Sequence, residues 1–163
     1  MSESREDFDR KLSTVLSENL SDFRALTSSE RLSGGASQET YRIEIISESG
    51  PRTLAMRRAP GGEDAIEHAG NNPGLATEAL LMQSARDAGV PEPEVYYVLK
   101  KTDRLGPGFI MEWLEGEALG ARIVRSEKFE EIRPKLAFEC GRILARIHTI
   151  DLKATGLDQK LVT

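Results

Sequence analysis

The stretch RLSGGASQETYRIEI, Arg31 to Ile45, decides how the rest of the chain is read. Two adjacent glycines stand between a polar approach and the run Thr40 to Ile45, which alternates polar and apolar residues. That alternation predicts a strand with one buried face, and the glycines before it predict a turn or a loop. A glycine loop can also hold an anion, because a backbone without Cβ atoms can approach closely and aim its N–H groups inward. On the glycines alone a β-turn is the simpler account. The flanking sequence has to decide.

Upstream, residues 6–20 predict an amphipathic helix, with Phe8, Leu12, Val15 and Leu16 on one face of a 3.6-residue period. The period then changes to two, and 23–32, 40–46 and 52–58 predict three strands, the last two joined across SESGP. Residues 59–74 hold several Gly, Asn and Pro residues and predict a long loop. A helix follows over 75–88, with Leu80, Leu81, Ser84 and Ala85 on its packing side and Gly89 as its stop. VPEPEV is extended, and 95–99 with 108–113 predict a hairpin across KKTDRLGP. Beyond it, Phe129, Ile132, Leu136, Cys140, Ile143, Leu144 and Ile147 recur at helical steps over about five turns. The order predicts an α+β sheet domain with a helix against it and a second helical unit beginning.

Composition limits what such a chain can do. With 163 residues, 39% hydrophobic and 30% charged, it has the make-up of a globular domain with its own core. A formal net charge of -5 gives no bulk attraction to nucleic acid. No apolar run approaches the roughly 20 residues of a membrane helix, and the acidic N-terminus does not resemble a secretion signal. A single cysteine, Cys140, fits a reducing compartment, and the expected location is the cytoplasm. His68 and His148 lie far apart, so no metal-ligand spacing is present.

Four motifs bear on chemistry. The glycine loop lacks the Lys-Ser/Thr of a Walker A, and it precedes a strand where a dinucleotide fingerprint would precede a helix. A glycine loop between two strands is the protein-kinase arrangement. Arg57 ends the apolar strand TLAMR, where a kinase places the lysine that pairs nucleotide phosphates. Arginine can fork two bonds to phosphate oxygens, although it is no neutral replacement for lysine. Glu78 lies in the next helix, LATEALLMQSA, where a kinase supplies the glutamate that holds that basic residue. GFIMEWLEGEAL is an apolar strand running into an acidic, glycine-containing segment, and it reads as a hinge around Glu112, Trp113 and Leu114. Each has a plain structural account as well: a turn, a solvated strand-end arginine, a surface glutamate and a packed tryptophan.

In this order the motifs resemble the aminoglycoside phosphotransferase and choline kinase-like group, which shares its fold with protein kinases but phosphorylates small molecules. The matching segments are LSGGASQETYRI, LAMRRAP, ATEALLMQSARDAGVPEPEV, GFIMEWLEGEAL and FECGRILARIHTIDL, and they span about 32–157. The chain is similar to a branch of that group related to kinase-like domains fused to some acyl-CoA dehydrogenases, in which RRPP after the third strand is common. The resemblance implies a protein-kinase-like N-terminal lobe, a five-stranded antiparallel sheet plus helix, followed by the first helices of a C-terminal lobe. It divides the chain into an N-terminal helix (1–22), the lobe itself (23–114) and a hinge with the start of the helical lobe (115–163). It implies ATP with Mg²⁺, a small-molecule hydroxyl substrate, and nucleotide contacts from Gly34, Gly35, Ala36, Ser37, Arg57, Glu78, Glu112, Trp113 and Leu114. No nucleic-acid or membrane partner is expected.

The group's His-Gly-Asp, its following asparagine and its later metal-binding aspartate do not occur after the long helix. His148 and Asp151 stand three apart rather than two, and no asparagine follows Asp158. The expectation is therefore a first lobe with the start of a second, holding no catalytic residue and no metal ligand of its own. The apolar stripe of 129–147 is then expected either to fold back on the sheet domain or to pair with another copy. That second outcome opens an alternative class of function, a non-catalytic interaction or dimerisation module.

Overall fold

The computed structural model describes residues 4–33, 38–65 and 73–161. Helix α1 spans Arg5–Asn19. Its start is set by Ser4, whose hydroxyl accepts the Asp7 N–H at 3.2 Å, and by the acidic residues Glu6 and Asp7 in the first turn. Strands β1 (Phe23–Arg31), β2 (Glu39–Ser47) and β3 (Gly50–Arg58) follow as a meander. After α2 (Leu75–Asp87) come β4 (Val95–Val98) and β5 (Gly108–Glu112), which form the expected hairpin pair. All pairings are antiparallel, and the sheet runs β1-β2-β3-β5-β4. This is the five-stranded α+β lobe that the sequence predicts.

The two helices lie on opposite faces of the sheet. Tyr41, Ile43, Ile45, Leu54, Met56 and Ile110 turn toward α1 and pack with Phe8, Leu12, Val15 and Leu16. Burying each large member contributes roughly 1.5–3 kcal/mol, so α1 belongs to the main core. On the other face Ala59, Phe109 and the α2 residues Leu75 and Ala79 form a smaller cluster. β5 lies close against β3 because Gly108 faces Arg58; a Cβ there would come within 2.4 Å of the Arg57 carbonyl oxygen.

Some boundaries differ from the expected ones for local reasons. β3 begins at Gly50 rather than Arg52, because Ser47 pairs with Gly50 and its hydroxyl donates to the Gly50 carbonyl at 2.9 Å. Pro51 is thus the second residue of a strand, near its start, where its missing N–H is tolerated. In α2 the fully covered positions are Leu75, Thr77, Ala79, Ser84 and Ala85, while Leu80 and Leu81 are half-buried, so the packing face is rotated from the expected one. Gly89 ends α2 as expected: at φ +80° it closes a Schellman cap, with Val90 N–H on the Ala85 carbonyl (2.9 Å) and Gly89 N–H on that of Arg86 (2.8 Å).

Past the sheet, α3 (Gly120–Arg125) and α4 (Arg133–Ile147) replace the single long helix expected from Phe129. Pro134 sits in the first turn of α4 and fixes its start there, leaving Phe129 and Ile132 outside it. No residue of α4 is buried, and Ile132, Leu136, Phe138, Leu144 and Ile147 are exposed. The stripe does not fold back on the sheet. What returns to the lobe is the segment after α4, where Leu157 is 0% exposed and its short turn contacts α2. Among the described residues, no helix is long and apolar enough to cross a membrane.

Candidate functional site

The alternation of β3 separates its last two residues. Arg57 pairs with Thr40 and Phe109 and faces α2, whereas Arg58 pairs with Glu39 and Gly108 and faces α1. A residue on β3 and one in the first turn of α2 meet on the α2 face: the Arg57 guanidinium donates through Nη1 to Oε1 of Glu78. The sequence-predicted pair is thus assembled. The Arg57 side chain keeps 38% of its accessible surface and that of Glu78 28%, so the pair is reachable from solvent. At that exposure it contributes at most about 1 kcal/mol to stability. Its value lies in fixing a permanent positive charge above the sheet.

Sequence reasoning passed over Gln38, which adjoins this pair, and Arg42, which lies on the same side of β2. Gln38, just before β2, donates through Nε2 to the other Glu78 oxygen, Oε2, at 3.3 Å. Arg42 lies across from Ala55 and stands over the Trp113 ring, its guanidinium carbon 5.5 Å from the centroid. The signal was present in the period of two: 38, 40 and 42 share a side of β2, the side that faces 55 and 57 on β3.

The expected hinge is only partly brought to the site. The Glu112 N–H donates to the Glu94 carbonyl at 2.8 Å, and its carboxylate accepts the Glu94 N–H at 3.2 Å. Glu112 is thereby knitted into the sheet edge, with Arg86 3.7 Å from the same carboxylate. Trp113 is half-buried, held by Arg42 above it and by its indole N–H on Glu115 at 2.7 Å. Leu114 is exposed. Gly34, Gly35, Ala36 and Ser37 lie outside the described residues.

The tail residues have local duties. His148 caps the end of α4 and is exposed, and Asp151 Oδ1 accepts the N–H groups of Lys153 (2.9 Å) and Ala154 (3.1 Å) in a turn. Asp158 is exposed in the last turn. Among the described residues, no three His, Cys, Asp or Glu side chains gather as a metal site.

A cavity of about 390 Å³ opens on the α1 face, lined by Arg5, Phe8, Arg31, Glu39, Tyr41 and Arg58 among others. Its polar groups satisfy one another. Arg58 donates to Glu39 (2.8 Å), to the Tyr41 hydroxyl (2.9 Å) and to the Leu105 carbonyl (3.1 Å), and Tyr41 donates to Glu39 at 3.0 Å. Arg31 reaches the other Glu39 oxygen at 3.2 Å, and Phe8 stacks on Tyr41. Burial, before anything else, pushes the Tyr41 hydroxyl above its ordinary pKa; Arg58 opposes the shift and Glu39 adds to it. This is a buried lock between α1 and the sheet rather than a site for chemistry.

Arg57 of β3 and Glu78 of α2 meet on the five-stranded sheet of a kinase-like lobe, and a model of the phosphotransferase enzyme family matches residues 28–161. The chain belongs to that family. A further similarity covers 134 residues at 28% identity to acyl-CoA dehydrogenase family member 10 of Mus musculus, 76% of this chain and 11% of that protein. This phosphotransferase-family chain thus spans about a tenth of the length of that relative.

Proposed function

We propose that this chain is the nucleotide-binding lobe of an ATP-dependent small-molecule phosphotransferase. The observation that supports it is the Arg57–Glu78 pair, a fixed cation left open to solvent on the α2 face of a kinase-like sheet. The described residues suit a phosphate more readily than a metal. Arg57 offers a guanidinium to phosphate oxygens, while no cluster of metal-ligating side chains stands near it. In this reading Glu78 holds Arg57 in place, Gly34 to Ser37 cover the phosphates through backbone N–H groups, and the chain at 112–114 borders the base. Magnesium would arrive with the nucleotide, where it neutralises phosphate charge. Activation of the acceptor hydroxyl is left to groups beyond those of this chain, whose sequence contains no His-Gly-Asp.

Calorimetric titration with Mg-ATP tests this directly. The wild-type chain is expected to bind, and Arg57→Ala to bind at least about tenfold more weakly with an unchanged circular-dichroism spectrum. A wild-type chain that binds no nucleotide overturns the reading. Phosphate transfer by the pure chain that disappears in Asp151→Asn overturns the structural role given to the tail.

A second reading has its own observation, the exposed apolar residues Ile132, Leu136, Phe138, Leu144 and Ile147 on and beside α4. A non-catalytic module that pairs with another copy through 129–147 would cover them. Sedimentation equilibrium separates the two readings: dimers that Leu144→Glu dissociates, in a chain without nucleotide affinity, favour the module.

A further inference from the structure

Among the described residues, only two buried side-chain polar atoms lack a hydrogen-bond partner, Gln38 Oε1 and Arg42 Nε. Gln38 lies just before β2 and bonds to Glu78, and Arg42 lies across from Ala55 on β3. The orientation of the Gln38 amide is dictated by its neighbour. Its Nε2 donates to Glu78 Oε2 at 3.3 Å, and a flipped amide would set two oxygen acceptors against each other. That choice leaves Oε1 buried without a donor, a costly arrangement that persists only where a competing contact holds it. The competing contact is the one to Glu78.

Glu78 is therefore gripped from two sides, Oε1 by Arg57 and Oε2 by Gln38. A carboxylate held at one oxygen can rotate and release its partner; held at both, it presents one face to the arginine.

We propose that Gln38 is a positioning residue: it holds the second oxygen of Glu78 and so keeps Arg57 ordered. What this means for a ligand rests on the nucleotide reading above, whereas the ordering of Arg57 does not.

The test uses the full chain as wild type, Gln38→Met, Glu78→Gln and the double variant, with side-chain ¹⁵N relaxation of Arg57 Nε as the primary readout without nucleotide. Gln38→Met, of similar length but without an amide, is expected to raise Arg57 mobility while the melting temperature stays unchanged. In the Glu78→Gln background the same change is expected to add little, because Gln38 acts through Glu78. Mg-ATP affinity should fall about three- to tenfold in Gln38→Met. Unchanged Arg57 mobility in Gln38→Met, or fully additive effects in the double variant, overturns the proposal. A wild-type chain that binds no Mg-ATP overturns the nucleotide reading instead, and the relaxation data still decide the role of Gln38.

Discussion

Arg57 and Arg58 are adjacent, identical in type and end the same strand, yet the pleat sends them to opposite sides of the sheet. Arg58 is 5% exposed and enclosed by Glu39, Tyr41, Leu105 and the Phe8 ring, 4.7 Å from the guanidinium carbon. Arg57 has one acidic partner and an open side. A buried charge bonded through all three of its nitrogens is held for structure; an exposed one is free to meet a ligand. The same contrast holds for the two faces as a whole. The α1 face carries most of the large core side chains, while the α2 face trades packing for a reachable cation.

The comparison is easiest to break at Arg58. Arg58→Met should destabilise the chain by about 4 kcal/mol in urea unfolding, since it leaves Glu39 buried without its main partner. A loss below about 1 kcal/mol would dissolve the distinction between the two arginines. Next in size, Leu12→Ala in α1 should cost about 3 kcal/mol by the same measurement, because Leu12 is 0% exposed in the main core. Arg57→Met reverses the pattern: a stability change under about 1 kcal/mol, with at least about tenfold weaker Mg-ATP binding by calorimetry.

The smallest effect sharpens the comparison through pH. Burial raises the Tyr41 hydroxyl pKa above its ordinary value near 10, so the folded state favours the neutral phenol. That contribution is complete below about pH 10 and is lost as the pH rises through the higher folded value. Urea unfolding at rising alkaline pH should therefore show a smaller decline in Tyr41→Phe than in the wild type. Equal declines would mean that the lock does not resist ionisation.

Much of this organisation was legible in the sequence. Five strands and the helices around them follow from periodicity, because one buried face is enough to impose a period of two or of 3.6. The Arg57–Glu78 pair followed from the order of motifs, and the α1 face from Phe8, Leu12, Val15 and Leu16. What escaped was decided by geometry between strands. That Glu112 would close onto Glu94 depends on how β4 and β5 are offset at their edge, which no local pattern records. That Gln38 would reach Glu78 depends on where α2 lies across the sheet, forty positions away in the chain. The start of α4 was readable from Pro134, but the apolar repeat running through Phe129 and Ile132 masked it.

The return of Leu157 to α2 has a consequence for how such a chain can diversify. The polypeptide leaves the sheet at Glu112 and is moored again at Leu157, with Arg146 also bonded to the Gly89 carbonyl. The helices between form a loop fixed at both ends. The entropy of closing such a loop grows only with the logarithm of its length, each doubling adding about 0.6 kcal/mol. Insertions or deletions in the stretch between Glu112 and α4 should therefore leave the lobe nearly as stable as before.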